Sequence, residues 1–215
     1  CIAPDYILVK SETKESLVKS LIIEIENAFG SNVKNSKDYG RIINKKHFEK
    51  LENDLKGQSI LYGGIRNKNE LFFGPTIVDN PKINSLLIKE EIFGPILPIL
   101  SYNNLEDLDS VLSLLKNPLA FYVFSNNEKF IAQLIRDYSF GGAVINDSLI
   151  HFTNQKLPFG GIGNSGIGSY HAEHSFKLFS HKKSIVKRPF WFDLPQRYPP
   201  YPKSLGIIKR ILKQI

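Results

Sequence analysis

The only cysteine, Cys1, is the residue of this 215-residue chain best suited to nucleophilic chemistry. A thiolate attacks carbonyl carbons when its surroundings are electropositive and partly open to solvent. The residues that follow, Ala3, Pro4 and Asp5, favour a turn rather than a core strand. A lone cysteine is also often a small buried hydrophobe, and the residues by themselves leave both interpretations open.

Two adjacent carboxylates in the segment KEEIFGP (89–95) form a second candidate site. In an extended chain Glu90 and Glu91 point to opposite sides, so at most one of them faces any one site. The alternative interpretation is the end of a surface helix.

The loop LPFGGIGNSGIG (157–168) contains a G-x-G-x-x-G pattern at Gly161, Gly163 and Gly166. A dinucleotide-binding fingerprint requires a strand before the first glycine and an acidic residue about 20 positions later. Here Pro158 precedes the pattern and Glu173 follows too soon, so the match is a false one. The glycines instead predict tight turns, or a close approach of the backbone to a ligand or a neighbouring chain.

The histidines have no metal-ligand spacing with a cysteine or carboxylate partner, and we expect no metal site. Two of them, His171 and His174, fall three residues apart on a predicted helix. The five are His47, His151, His171, His174 and His181.

The hydrophobic pattern alternates between strand and helix along the chain. Between 96 and 145 the order strand, helix, strand, helix, strand predicts crossover units and a largely parallel sheet covered by helices. The predicted strands are 6–9, 71–78, 96–102, 120–124 and 141–145, and the predicted helices are 17–29, 44–56, 105–115 and 128–138.

Composition and charge exclude several classes of protein. With 42% hydrophobic and 12% aromatic residues the chain is not disordered. It contains no run of the ~20 apolar residues that a membrane helix needs. The net charge of +7 lies in the C-terminal segment. From Lys182 onward there are nine basic residues and one acidic residue, Asp193, whereas residues 1–181 carry a net charge of −1. This distribution argues against a nucleic-acid-binding fold.

Four segments, taken together and in this order, resemble the aldehyde dehydrogenase superfamily. They are CIAPDY (1–6), EEIFGP (90–95), GGAVIND (141–147) and LPFGGIGNSG (157–166). The continuation, with YH at 170–171, SF at 175–176, FSHKKS at 179–184 and RYPP at 197–200, is similar to the class 3 branch, which includes fatty aldehyde enzymes. The resemblance covers essentially the whole chain.

The resemblance implies an α/β fold with three layers, in which helices cover both faces of a mostly parallel sheet. It implies that residues 1–188 are the catalytic half of an enzyme about twice as long, whose Rossmann-like coenzyme-binding half is missing here. By itself the chain is then expected to be inactive. The whole enzyme is expected to be a homodimer that uses NAD or NADP.

The same resemblance implies roles for particular residues. Cys1 attacks the aldehyde to form a thiohemiacetal, which is oxidised to a thioester and then hydrolysed. Glu91 binds the ribose hydroxyls of the coenzyme, and Phe93 packs beside its nicotinamide. The residues expected to line the aldehyde pocket are Phe152, Thr153, Phe159 and His171.

A Pro-rich basic tail is predicted at 189–215, with a short amphipathic helix at about 204–213. That helix either packs over the enzyme body or lies on an anionic membrane surface. The expected location is therefore cytoplasmic, with membrane association as an option.

Other functions start from Cys1 as a true amino terminus. One is an amidohydrolase that uses its own α-amine as the base. Another is a surface binding module with a lipidated Cys1. Neither explains the EEIFGP segment or the glycine loop.

Overall fold

The computed structural model describes residues 1–193, 198–200, 206, 209, 210 and 213. They belong to two compact units, Cys1–Phe179 and Ser180–Ile215. All the predicted site residues lie in the first unit. The helix predicted at 204–213 falls mostly outside the described residues. In the part of the chain that is described, no helix is long and apolar enough to cross a membrane.

The strands of the first unit form one sheet of four strands and two pairs. The strands are β1 (Ile7–Lys10), β2 (Ser59–Tyr62), β3 (Arg66–Asn67), β4 (Phe72–Phe73), β5 (Thr76–Asp79), β6 (Ile96–Tyr102), β7 (Ala120–Val123) and β8 (Gly142–Ile145). In the larger sheet the order is β1-β6-β5-β2, and the two pairs are β3 with β4 and β7 with β8.

The central pairings are parallel, as the alternating pattern predicts. Strand β6 lies between β1 and β5 and is parallel to both, with Ile7 opposite Ile99 and Thr76 opposite Ile96. Strands β7 and β8 are also parallel, whereas β2 is antiparallel to β5. The predicted α/β class with a mostly parallel sheet is confirmed.

Helices connect the parallel strands, and asparagine caps start three of them. The side chains of Asn44, Asn104 and Asn127 each accept hydrogen bonds from backbone N–H groups of the first turn. The helices are α1 (Ser11–Phe29), α2 (Lys45–Asp54), α3 (Leu86–Lys89), α4 (Leu105–Leu114), α5 (Glu128–Asp137) and α6 (Ala172–Leu178).

The core that supports the site lies beneath α2. Phe48 and Leu51 of this helix are fully buried, and the Phe48 ring packs against that of Phe73 at 5.4 Å. Ile92 belongs to the same cluster and is 1% exposed. The EEIFGP segment is therefore anchored in the core through its third residue.

One strand prediction was wrong in its extent. The apolar run 71–78 forms two short strands, β4 and β5, with a break at Gly74 and Pro75. Proline has no N–H to give to a sheet, and the Gly74 N–H donates instead to the Ile65 carbonyl at 2.8 Å. The run is therefore mostly buried, with Leu71 and Pro75 partly exposed, but it is not one continuous strand.

Candidate active site

Cys1 and the EEIFGP segment approach the same edge of the sheet. Cys1 lies in the irregular turn that leads into β1, and residues 90–95 lead into β6. Because β1 and β6 are parallel neighbours, both segments end at the amino edge of these two strands. Cys1 is a free thiol and is exposed, which suits a nucleophile better than a core residue.

Two long-range hydrogen bonds fix the turn that carries Cys1. The Tyr122 hydroxyl, on β7, donates to the Ile2 carbonyl at 2.6 Å. Burial raises the pKa of Tyr122, so the phenol stays protonated and keeps its donor. At the other end of the turn, the Asp5 carboxylate accepts from the backbone N–H of Ile92 at 3.1 Å. The turn is thus held at Ile2 and at Asp5.

The side chain next to this turn is also kept uncharged. Burial, followed by the charge of Asp5, raises the pKa of Tyr6 to about 12. A phenol of ordinary pKa is already neutral at pH 7, and the raised pKa keeps Tyr6 from placing a negative charge beside Asp5 in mildly alkaline solution as well.

Side chains of α2 form hydrogen bonds to the backbone of the EEIFGP segment. His47 Nε2 lies 2.9 Å from the Phe93 carbonyl, and Lys50 Nζ donates to the Glu91 carbonyl at 3.4 Å. Phe93 has a left-handed backbone with φ of +47°, which is unfavourable for a residue that is not glycine. The hydrogen bonds on either side of it stabilise this conformation, and the Phe93 ring is 61% exposed.

The two carboxylates of this segment have different surroundings. Glu90 follows α3 directly and lies 3.6 Å from Lys50. Glu91 is exposed, and its carboxylate forms no ion pair or hydrogen bond with the residues that the structure describes. Glu91 is therefore free to bind a ligand, as its predicted role requires.

Gly94 lets this segment pack closely on α2. A Cβ at this position would lie 2.7 Å from Cδ1 of Leu51, inside van der Waals contact. Since Leu51 is fully buried, it has little room to move. The glycine of EEIFGP is thus explained by packing.

Three of the four predicted pocket residues form one aromatic cluster. The ring centroid of Phe152 lies 5.1 Å from that of Phe159 and 5.8 Å from that of His171. Phe159 and His171 stack at 5.9 Å. Tyr170 completes the group, because its backbone pairs with that of Phe159.

Thr153 is the fourth predicted pocket residue and makes a different contact. Its hydroxyl donates to the Ile150 carbonyl at 2.8 Å within a short 3-10 turn, and the residue is exposed. Thr153 is next to the aromatic cluster in the sequence, because it follows Phe152.

His151 connects the aromatic cluster to the turn of Cys1. Its ring is 5.9 Å from that of Tyr122 and 5.8 Å from that of Phe159. Both ring nitrogens are buried and have no hydrogen-bond partner among the described residues. Burial lowers the pKa of His151, so the ring is neutral at pH 7.

The structure adds three residues that the sequence analysis did not select as site residues. Tyr122, His151 and Asp5 join Cys1, the EEIFGP segment and the aromatic cluster into one continuous set of contacts. Two of them have a signal in the sequence, since Asp5 lies in the CIAPDY motif and His151 directly precedes the predicted pocket residues. The described residues include no group of three or more histidine, cysteine or acidic side chains that could hold a metal ion.

The chain is similar to curated proteins and to solved structures over nearly its whole length. Aldehyde dehydrogenase family 3 member H1 of Arabidopsis thaliana is 41% identical over 217 residues, which cover 99% of this chain and 45% of the plant protein. The dimeric NADP-preferring aldehyde dehydrogenase of Canis lupus familiaris is 41% identical and is matched over 93% of this chain and 45% of its own length. The solved structure of the substrate-bound state of Staphylococcus aureus AldH superposes with a TM-score of 0.84 at 39% identity, covering 98% of this chain and 46% of that one.

These matches support the class 3 branch that the sequence motifs indicate. The chain spans less than half of the length of the curated relatives it matches. The family model named "Aldehyde dehydrogenase family" matches residues 1–185, which include Cys1, the EEIFGP segment and the aromatic cluster. The chain belongs to the aldehyde dehydrogenase family.

Proposed function

We propose that this chain carries the nucleophile, the nicotinamide-side contacts and part of the aldehyde pocket of an NAD(P)-dependent aldehyde dehydrogenase. The observation that supports this most strongly is the bond between Asp5 and Ile92. It joins the turn of an exposed thiol to the segment of an exposed carboxylate that has no ion-pair or hydrogen-bond partner in the part of the chain that the structure describes. The family match gives no support to the amidohydrolase or to the lipid-anchored binding module.

Cys1 acts as the nucleophile in this proposal. Its thiolate adds to the aldehyde carbon and forms a thiohemiacetal, and the oxidised adduct is a thioester that water hydrolyses to the carboxylic acid. Covalent catalysis of this kind divides one difficult oxidation into two easier steps. The fixed turn between Ile2 and Asp5 limits the positions that the sulfur can take, which favours attack on a bound aldehyde.

Glu91 and Phe93 fit a nicotinamide nucleotide. A carboxylate accepts hydrogen bonds from two neighbouring ribose hydroxyls, and the Glu91 carboxylate is exposed beside the exposed ring of Phe93. When bound, NAD or NADP supplies the hydride acceptor for the oxidation. The protein's part is to hold the nucleotide against this segment, which α2 keeps in place.

The aldehyde binds against Phe152, Thr153, Phe159 and His171 in this proposal. An apolar pocket with few polar groups suits an aliphatic or aromatic aldehyde. The neutral ring of His151 lies behind this surface and adds no charge to it.

The whole enzyme is proposed to contain a coenzyme-binding half in addition to residues 1–188, which form the catalytic domain, and the basic tail 189–215. It is proposed to be a homodimer, and the name of the canine relative calls that protein dimeric. We also propose a cytoplasmic location, with peripheral contact between the basic tail and an anionic membrane surface.

The direct test is NAD(P)H formation from hexanal or benzaldehyde. The protein is expressed from the entire open reading frame that encodes the chain, and absorbance at 340 nm is followed with each coenzyme. We expect aldehyde-dependent reduction of NAD or NADP, and we expect residues 1–215 alone to give none. Absence of reduction with both coenzymes and both aldehydes would refute the proposed activity.

Glu91→Gln is expected to raise the KM for the coenzyme by about tenfold or more, because hydrogen bonds to a charged group contribute ~1.5–3 kcal/mol. The KM for the aldehyde should change little. Steady-state kinetics with varied coenzyme measure the effect.

The matched control is Glu90→Gln, which removes the neighbouring carboxylate and its partly exposed ion pair with Lys50. We expect the coenzyme KM of this variant to stay within about twofold of the wild-type value, because ion pairs near the surface contribute only ~0–1 kcal/mol to stability. Equal effects of the two substitutions would show that Glu91 has no specific role in coenzyme binding.

A further inference from the structure

We infer that Asp5 is a positioning residue that ties the turn carrying Cys1 to the segment carrying Glu91, and so sets the thiol against the coenzyme. The inference rests on the proposed function and assigns a role to a residue that touches neither substrate nor coenzyme in that proposal. Its basis is the hydrogen bond from the Ile92 N–H to the Asp5 carboxylate, between residues 87 positions apart in the chain.

Ile92, whose N–H bonds to Asp5, is held in place by the core. Ile92 is 1% exposed and packs in the core cluster under α2. The residues that flank its N–H are Glu91 and Phe93, the two proposed coenzyme contacts. A bond to this N–H therefore positions the turn of Cys1 relative to both coenzyme contacts at once.

Three consecutive residues of the EEIFGP segment are held by side chains. Lys50 donates to the Glu91 carbonyl, Asp5 accepts from the Ile92 N–H, and His47 bonds the Phe93 carbonyl. Lys50 and His47 both come from α2. Among the described residues, Asp5 is the one whose side-chain hydrogen bond reaches this segment from the turn of Cys1.

The turn itself has no regular secondary structure before β1. Its other anchor, the bond from Tyr122 to the Ile2 carbonyl, fixes it to β7 and through His151 to the aromatic cluster. Loss of the Asp5 bond would leave this second anchor in place. The pairing of β1 with β6 would also remain, so the thiol would keep its position relative to the aldehyde pocket and its position relative to the coenzyme segment would become less well fixed.

Kinetics of Asp5→Ala, Asp5→Asn and the unchanged enzyme test this inference. Each is expressed from the entire open reading frame, and kcat is calculated per reactive Cys1, counted by labelling with a thiol reagent and mass spectrometry of the peptide that contains Cys1. We expect Asp5→Ala to lower kcat by about tenfold or more, because small misplacements of reacting groups are costly. It should also raise the coenzyme KM and leave the aldehyde KM within about twofold. Asp5→Asn keeps an oxygen acceptor and should retain kcat within about threefold.

A simple loss of stability would change the number of titrated thiols and the melting temperature, but would not change coenzyme KM while leaving aldehyde KM intact. If Asp5→Ala does not fold, Asp5→Ser takes its place. Serine suits a turn, and its hydroxyl is one bond shorter than the carboxylate, so the same split is expected.

The outcomes separate this inference from the proposed function. Failure of the wild-type enzyme to form NAD(P)H would refute the proposed function. If the wild-type enzyme is active and Asp5→Ala, or Asp5→Ser in its place, has the same kcat and KM values, only the role of Asp5 is refuted. Equal losses in Asp5→Ala and Asp5→Asn would also refute it, because the hydrogen-bond acceptor would then not be the cause.

Discussion

Cys1→Ala is expected to abolish aldehyde-dependent NAD(P)H formation, with kcat reduced by about a thousandfold or more. The reason is chemical: alanine cannot form the thiohemiacetal, and residues 1–215, which include the proposed aldehyde pocket, contain no second cysteine. The measurement is the 340 nm assay with hexanal or benzaldehyde under saturating coenzyme.

The fold should tolerate this substitution. Cys1 is exposed, and substitutions at exposed sites typically change the free energy of unfolding by less than ~0.5 kcal/mol. The melting temperature and the coenzyme affinity should therefore remain those of the unchanged enzyme. Cys1→Ser is the matched control for size and polarity, and it should also be inactive because a hydroxyl is the weaker nucleophile. Full activity in the alanine variant would exclude the covalent mechanism.

Gly161→Ala is expected to destabilise the protein strongly, because the backbone of the glycine loop leaves no room for a side chain at this position. A Cβ at this position would overlap the carbonyl group of Ser165 and lie 2.6 Å from its hydroxyl. The Ser165 hydroxyl is itself committed, because it bonds the N–H and the carbonyl of Ile162. Relief of the overlap therefore requires the backbone to move, and we expect a loss of about 3 kcal/mol in the free energy of unfolding.

The same movement should weaken aldehyde binding. Two residues before Gly161, Phe159 forms backbone hydrogen bonds of 3.0 and 2.9 Å with Tyr170 and stacks on His171. A shift of the loop displaces this part of the aromatic cluster, so the aldehyde KM should rise in whatever fraction of the protein stays folded. Urea unfolding and steady-state kinetics measure the two effects.

Gly40→Ala is the control for this substitution. A Cβ at Gly40 meets no atom within 4 Å. Since alanine also restricts the unfolded chain more than glycine does, we expect unchanged stability or a gain of a few tenths of a kcal/mol. A loss of stability at Gly40 as large as that at Gly161 would show that backbone overlap is not the cause.

Local features of the fold could be predicted from the sequence because their causes are local. The helix after β1 ends at Phe29 before Gly30, and α2 begins after Asn44, as the hydrophobic spacing and the capping residue predict. The apolar pattern predicts one strand over 71–78, but Gly74 and Pro75 divide this run into β4 and β5. His171 was placed on a helix, but it precedes α6 with φ of +92°.

The candidate site depends on contacts that no local pattern contains. Asp5 meets Ile92 across 87 positions, and Tyr122 meets Ile2 across 120. The left-handed backbone of Phe93 also has no signature in the sequence, because phenylalanine rarely adopts it. Cys1 and Glu91 were selected through the family resemblance, whereas Asp5, Tyr122 and His151 required the structure.

Mass spectrometry of the protein quenched with acid during turnover tests the central claim most directly. The enzyme is mixed with hexanal and the preferred coenzyme, quenched within one turnover, and digested. We expect the acyl group of the aldehyde on the peptide that contains Cys1, only when coenzyme is present, and absent from that peptide in Cys1→Ala. An acyl group on a different residue, or product formation without acylation of Cys1 at any quench time, would contradict the assignment of Cys1 as the attacking thiol.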